Sequence, residues 1–454
     1  MKNLIKSFWL CFAIFFVGLA KSLKRIKCDK QSQRTVEFLM RYSPMPWAKE
    51  SKIIRDSVSN LVVSRLKFKK IEGSAVKNIV LVYDVIKSGP YYSHDDSIIG
   101  HAIALANNKS VNSVSIVVTH ESAMFGSKFF NENKGPSTLD AVKKKLEHLC
   151  HEKKFKISLR YFFCKGLDDV YCVCEHILKK NPDVIVFNSG LDNESRLFRS
   201  IFFNRVPIAR TMVQSDMVPD YEVDLLLAKI ADNKFSELCR SKNVKFKFLI
   251  YPKSDLVKFR SPKKFSRGGR KVLVTALTGN RIQKVIKGYS KSDLHTLLEI
   301  ISCKEDDVWM LIGSQLAEDL KGVDLELDLL VDKGKIIFGE PTRNLKSIIR
   351  DADLYVNIPG ITGGGGTGVM ARNVGTPVIT DGYSDVANKQ PRSFITNSGD
   401  MEGFVKNANL LLNDEGAINA FFNEYNEILD NMASHEYEFY MALVEAKENF
   451  MDKH

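Results

Sequence analysis

The sequence lacks the marks of several protein classes. It has no Gly-Lys-Ser/Thr closing a phosphate loop, no cysteine pairs at zinc-ligand spacing, and no apolar run long enough to cross a bilayer. Its eight cysteines (Cys11, Cys28, Cys150, Cys164, Cys172, Cys174, Cys239 and Cys303) are scattered. They read as reduced, mostly buried thiols, which favours a reducing compartment. With 44% hydrophobic and 26% charged residues, the chain is neither a disordered tail nor a multi-span membrane protein. Its 454 residues are enough for two or three domains with sizeable cores. Four of its 27 glycines stand side by side at 363–366, which low-complexity composition does not explain.

The formal charge of +12 is concentrated at one end. Residues 1–75 hold 16 Lys/Arg against 5 Asp/Glu, so the remaining chain is close to neutral. Residues 401–454 lean acidic, with 11 acids against 3 bases. No nucleic-acid recognition module accompanies the basic segment, so nucleic acid is not expected as a partner. Residues 8–20, FWLCFAIFFVGLA, form a thirteen-residue apolar run flanked by Lys2, Lys6, Lys21, Lys24, Arg25 and Lys27. As a helix it would rise about 20 Å, short of the roughly 30 Å hydrocarbon core. Basic residues beside an apolar run are drawn to anionic head groups, so residues 1–30 are expected to associate with an anionic membrane surface. The bases after Ala20 favour a signal anchor or peripheral attachment on the cytoplasmic face. A cleaved signal peptide is the competing reading, with Gly18 and Ala20 at cleavage-like spacing.

After a basic, helical stretch to about residue 75, short apolar runs alternate with helix-length segments. The runs NIVLVY (78–83), VSIVVT (114–119), KISLRYF (156–162), DVIVF (183–187) and 207–209 read as strands covered on both faces, as in a parallel sheet. Helical segments are expected at 97–107, 137–151, 167–180 and 194–203. Residues 252–270, rich in Pro, Gly and bases, break the rhythm. It resumes with KVLVTAL (271–277), VWMLIG (308–313), KIIFG (335–339), LYVNI (354–358) and PVIT (377–380). The expected architecture is α/β: two doubly wound Rossmann-like domains, 76–255 and 271–415, facing a cleft. A basic linker at 256–270 joins them. The N-terminal apolar and basic helical segment (1–75) precedes them, and C-terminal helices (416–454) pack across them. Ligands of such sheets sit beyond the carboxyl ends of the strands.

The most informative stretch is 354–385, LYVNIPGITGGGGTGVMARNVGTPVITDGYSD. A strand ends in Pro359-Gly360, a glycine run follows, and a helix is expected from about Thr367. Glycines let the backbone pass close to a ligand, and a helix N-terminus presents N–H groups to an anion. Gly363, Gly364, Gly365, Gly366 and Thr367 are therefore candidates for holding a phosphate or diphosphate. A second candidate loop, Thr278-Gly279-Asn280-Arg281 with Lys284 and Lys287, follows the first strand of the same unit; Arg offers a fork and Lys a point charge to phosphate oxygens. In the first unit, His94 and Asp95 follow the 78–83 strand, and His120-Glu121 follow the 114–119 strand. A His beside a carboxylate at a strand end suits a general base, or polarises a leaving phosphate.

The ordered set from 271 to 415 (a Gly-Arg loop, WMLIGS, IIFGEPTRNLKSIIRDADLYVNI, the glycine run and VGTPVIT) resembles the nucleotide-binding half of GT-B glycosyltransferases, in particular the glycogen-synthase-like group. The resemblance implies a transferase moving a sugar from a UDP- or GDP-sugar donor to a glycan, lipid-linked or protein acceptor, with no metal and no further cofactor. It implies that Gly279, Arg281 and Lys287 meet the donor diphosphate, that Gly363 to Thr367 contact the donor, and that Phe338, Gly339 and Glu340 frame the nucleobase. His94, Asp95 and His120 are then the candidate catalytic groups. Met370 stands where that family places a ribose-binding Glu, leaving Asp381 or Asp385 as alternative acceptors. Two other readings are a nucleotide-sugar 2-epimerase on the same architecture and a non-catalytic, membrane-associated scaffold.

Overall fold

The computed structural model describes residues 49–84, 88–89, 92–121, 143–144, 146–148, 156–164, 166–189, 196–212, 222–228, 233–251, 269–277, 280–302 and 306–454. Side chains are described for these except 49–54, 57, 88–96 and 233–234. The apolar run at 8–20, its basic flanks, Gly279, and the side chains of His94 and Asp95 therefore lie outside the described residues. Among the described residues no helix is long and apolar enough to cross a membrane.

The first domain is built on seven parallel strands: β1 (Asn78–Tyr83), β4 (Ser113–Val118), β5 (Ile157–Tyr161), β6 (Val184–Ser189), β7 (Ile208–Met212), β8 (Leu225–Ala228) and β9 (Phe246–Phe248). A two-stranded hairpin, β2 (Ser88–Gly89) and β3 (Tyr92–Ser93), stands apart from the sheet. The spatial order is β5-β4-β1-β6-β7-β8-β9. β1 pairs with β4 on one side (Ile79 opposite Val114) and β6 on the other (Ile79 opposite Val184). The near-continuous burial of β1, β4 and β7 is what a sheet covered on both faces demands. β5, at the edge, alternates between half-buried and exposed residues.

Helices Leu167–Lys179, Arg196–Phe202 and Lys49–Val63 cover one face, with Val58, Val62, Val173, Ile177, Phe198 and Phe202 in its core. The helix that lies within the basic N-terminal segment is thus part of this domain. The other face is covered by helix His94–Ala106 and the C-terminal helix Met432–Met451, through Ile98, Leu105, Phe439 and Leu443.

The second domain has six parallel strands: β10 (Val272–Ala276), β11 (Val308–Ile312), β12 (Ile336–Gly339), β13 (Leu354–Val356), β14 (Val378–Asp381) and β15 (Ile395–Thr396). Their order is β12-β11-β10-β13-β14-β15. In both sheets the first strand is central and the order reverses beside it, between β1 and β6 and between β10 and β13. That reversal splays the loops at the carboxyl ends and opens a crevice.

Helices Met401–Asn413 and Glu415–Asp430 belong to the second core, through Phe404, Leu411, Phe421 and Tyr425. The chain then crosses back. Lys447 on the C-terminal helix is buried, and its Nζ donates to Ala75 O (2.7 Å) and pairs with Asp183 Oδ1 (2.9 Å). Lys453 pairs with Asp224 at 3.0 Å. Before the linker, Asn388 of the second domain accepts from Tyr251 N (3.0 Å) and donates to Leu249 O (2.8 Å), so both crossings between domains are hydrogen-bonded. Cys164, Cys174 and Cys239 are buried and free, while Cys172 is exposed.

Candidate functional site

Strand order alone brings two of the candidate loops together. β10 and β13 are neighbours, so the loop leaving β10 and the glycine run leaving β13 stand side by side at the switch point of the second sheet. The arginine bridges them. Arg281 begins the helix Arg281–Ile286, and its Nη1 donates to Thr362 O at 3.2 Å. A Cβ on Gly363 would lie 1.9 Å from the same Nη1, so the guanidinium rests on bare glycine backbone.

The glycine run is specified residue by residue. Gly360, Gly363 and Gly364 have φ of +77°, +86° and +78°, the left-handed region that a Cβ disfavours. Helix Gly365–Asn373 starts two residues earlier than expected, and Gly365 and Gly368 are needed there for packing. Added Cβ atoms would meet Asp385 at 3.3 Å and Val386 at 2.7 Å. With three glycines in nine residues the helix has little intrinsic propensity. Burial of Val369 and Ala371 holds it, together with Arg372, which is buried with Nη1 on Gln390 Oε1 (2.7 Å) and its guanidinium over the Tyr425 ring. Its N-cap, Gly364, offers no side-chain cap, and the helix begins two residues after Gly363, on which the Arg281 guanidinium rests.

The surrounding loops lock the run in place. Asp381, at the end of β14, is 1% exposed, and its Oδ2 accepts from Gly360 N at 2.8 Å. Tyr289 donates from its hydroxyl to Pro359 O. Burial raises the Tyr289 phenol well above its ordinary pKa, with the Asp381 charge adding to it. Asn357, fully buried at the end of β13, donates to Ser384 Oγ (2.7 Å) and Thr380 Oγ1 (3.2 Å), tying the loops after β13 and β14 together. The Thr367 hydroxyl bonds the buried Tyr355 phenol. Such a loop is pre-organised, its backbone dipoles fixed before any ligand arrives.

The other second-domain candidates are more dispersed. Lys287 pairs with Asp319 at 3.8 Å, on the neighbouring helix Leu316–Leu320. Phe338 is half-buried against the core. Exposed Glu340 accepts from Gln315 N at 3.4 Å; Glu340 follows the carboxyl end of β12, on the far side of β11 from Arg281. Met370 packs half-buried against the second core. Asp381 is engaged in holding the loop, and Asp385 is buried beside Gly365.

In the first domain, His120 has φ +49° and is 2% exposed. Its ring packs edge-on against Tyr161 (4.6 Å between centroids) and beside Phe163 (5.5 Å), and burial lowers its pKa to about 4. Glu121 next to it is buried and caps helix Arg196–Phe202, accepting from Leu197 N (2.7 Å) and Phe198 N (3.3 Å). Burial first, then the Asp84 charge, raises Glu121 to about 8 against these bonds and the attraction of Arg55.

The two residues act oppositely on stability. A Glu with its folded pKa raised contributes stability that is complete below its ordinary 4.5 and lost as pH rises toward 8; a His with its folded pKa lowered takes stability away as pH falls from 6.5 toward 4. Glu121→Gln keeps a carbonyl acceptor for the cap but cannot ionise. Denaturation midpoints at about pH 5 and pH 8 should therefore show the native chain losing stability relative to Glu121→Gln as pH rises; parallel curves would refute the raised pKa.

Tyr289, Asn357 and Arg210 carry no signal in the sequence. Arg210 on β7 is 2% exposed and, with Asp385 of the second domain, acts on the buried Tyr251 phenol, so charges of both domains converge where they meet. Among the described residues no group of three or more His, Cys, Asp or Glu is placed to hold a metal ion.

No protein-family model matches the chain, and no curated protein matches it. Solved structures do. A mutant O-GlcNAc transferase from Thermobaculum terrenum superposes over 97% of this chain and 85% of its own, with a TM-score of 0.55 and 13% identity. HepE from Anabaena, in complex with UDP and glucose, covers 80% of this chain and 97% of its own at TM-score 0.46 and 12% identity. A mutant TarM from S. aureus, in complex with fondaparinux, alpha-GlcNAc-glycerol and UDP, covers 81% and 99% at TM-score 0.48 and 10% identity. At these identities the likeness is one of fold: two Rossmann-like domains in the GT-B arrangement.

Proposed function

We propose that the chain is a glycosyltransferase that takes a sugar from a nucleoside-diphosphate donor, UDP- or GDP-linked, and transfers it to a glycan, lipid-linked or protein acceptor. One observation carries the reading: the Arg281 guanidinium lies on the left-handed glycine run, beside an uncapped helix N-terminus, at the switch point of the second sheet. A fixed cation and a row of N–H groups at one spot suit a diphosphate. The same groups stabilise the charge that grows on the departing nucleotide as the glycosidic bond breaks, so positioning and electrostatics supply most of the catalysis. The GT-B fold of the Thermobaculum O-GlcNAc transferase supports the same reading. The basic, apolar residues 1–30 support attachment to an anionic membrane surface, and the bases after Ala20 favour its cytoplasmic face over a cleaved signal peptide.

A thermal-shift series with UDP, GDP, UDP-glucose, UDP-N-acetylglucosamine and GDP-mannose tests the donor site. A rise in midpoint that grows with concentration for one nucleobase is expected, reaching about 2.7 kcal/mol of added stability at a hundredfold excess over Kd. No shift with any of them, in a protein with a cooperative melting transition, overturns the reading. Product analysis separates transfer from 2-epimerisation, because an epimerase returns the nucleotide sugar with its sugar inverted and still attached.

A further inference from the structure

The 3-10 helix Asp385–Lys389, which follows β14, touches both the glycine run and the first domain. Its first half lies on bare backbone of the run. An added Cβ would meet Val386 at 3.6 Å from Gly364 and 2.7 Å from Gly368, and Asp385 at 3.3 Å from Gly365. Ser384, just before it, accepts from Val386 N (3.2 Å) and from Asn357 (2.7 Å), and donates to Gly363 O at 3.4 Å. Arg372, from helix Gly365–Asn373, holds the far end through Gln390 Oε1 (2.7 Å). Contacts this close leave no slack, so a displacement of the glycine run is passed to the 3-10 helix.

The second half of the 3-10 helix grips the first domain. Asn388, 5% exposed, accepts from Tyr251 N (3.0 Å) and donates to Leu249 O (2.8 Å), an amide clamp on the chain leaving β9. The clamp closes on a fixed point. Leu249 N continues the strand pairing on Ala228 O (2.9 Å), and the Tyr251 hydroxyl accepts from Met212 N (2.9 Å) and donates to Leu227 O. Asp385, Val386 and Asn388 thus connect the run where a diphosphate would lie to the carboxyl ends of β7 and β9. The ion pairs of the returning helix, Lys447 with Asp183 and Lys453 with Asp224, lie at the opposite, amino edge of the first sheet.

We propose that Asn388 is a positioning residue: its clamp on Tyr251 and Leu249 strengthens when a nucleoside diphosphate occupies the glycine run, so that donor binding fixes the first domain against the loaded site. The coupling rests on the donor reading of that site. Its two states are the clamp made and the clamp open. Linkage makes the coupling reciprocal: the factor by which a bound nucleotide suppresses opening is the factor by which loss of the clamp weakens the nucleotide. An amide that only satisfies two buried backbone groups would show neither effect.

The Tyr251 amide reports the clamp directly, because its hydrogen is the one Asn388 accepts. Amide exchange of the full chain is followed by mass spectrometry, with and without each of the nucleotides and nucleotide sugars of the thermal-shift series. A ligand that raises the midpoint is expected to slow exchange in residues 249–251 by about fivefold or more. The slowing should exceed that in helix Leu167–Lys179 and in residues 445–452, which read general stabilisation. Asn388→Ala is expected to keep a thermal shift but to bind the same ligand more weakly by about the same factor. A shift in the native chain with exchange in 249–251 unchanged, slowing no greater than in the two reference segments, or native affinity in Asn388→Ala each overturns the coupling and leaves the donor reading standing. No thermal shift with any of the ligands overturns both. The exchange arm needs no substitution, so it decides the matter if Asn388→Ala fails to fold.

Discussion

Arg281→Ala is expected to abolish the thermal stabilisation by nucleoside diphosphates and to lower kcat/KM for transfer by a factor of about 10²–10³. The size follows from where the side chain is placed. Its Nη1 reaches Thr362 O, and the group lies against Gly363, so a diphosphate docking against the glycine run meets a cation already in position. Removing a fixed, charge-assisted donor costs more than removing a solvated one, because nothing reorganises to replace it. Arg281→Lys should restore part of the affinity and less of the turnover, since an ammonium supplies charge without the planar fork. Arg350 is the control: it is exposed, with Nε on Asp351 at 3.1 Å, and Arg350→Ala should leave both quantities unchanged. A full nucleotide shift surviving in Arg281→Ala would remove this loop from the donor site.

How far the sequence foretold the site follows from which of its features are local. Strands such as NIVLVY and VWMLI are legible because a strand buried on both faces has little freedom in composition. β8 (LLLA) is apolar and buried throughout but only four residues long, and β9 (FKF) alternates over three, so both depend on pairing, β8 with β7 and β9 with β8. The glycine run announces itself because backbone demands are written directly as glycine. Its partner Arg281 is legible as a base after a strand, and the strand order supplies the adjacency. Tyr289 and Asn357 are not legible, because an ordinary Tyr or Asn becomes a loop lock only when a carbonyl or hydroxyl 23 to 70 residues away comes within reach. Asp381 stands out in the sequence for a different contact: a carboxylate after a strand can face a ligand or a backbone N–H, and only the fold decides for Gly360. His120 is legible as a His at a strand end, but the Tyr161 ring packed against it comes from β5, a separate strand later in the chain.

The glycines separate backbone strain from site chemistry. Gly73 has φ +67° with nothing within 4 Å of an added Cβ, so Gly73→Ala costs strain alone, about 1–2 kcal/mol. Gly363→Ala carries comparable strain at φ +86° and also drives a methyl group into the Arg281 guanidinium. Its midpoint should fall somewhat further than that of Gly73→Ala, each kcal/mol amounting to about 2–4 °C in domains of this size. The larger effect is expected in the nucleotide shift, which Gly73→Ala keeps and Gly363→Ala loses. If the loss arises because Arg281 is pushed from its seat, the two lesions remove the same interaction. The double variant Gly363→Ala/Arg281→Ala should then bind nucleotide no more weakly than Arg281→Ala alone, and the double-mutant cycle should show strong coupling. Additive losses would mean that the glycine run acts on the donor through its own N–H groups, independently of the arginine.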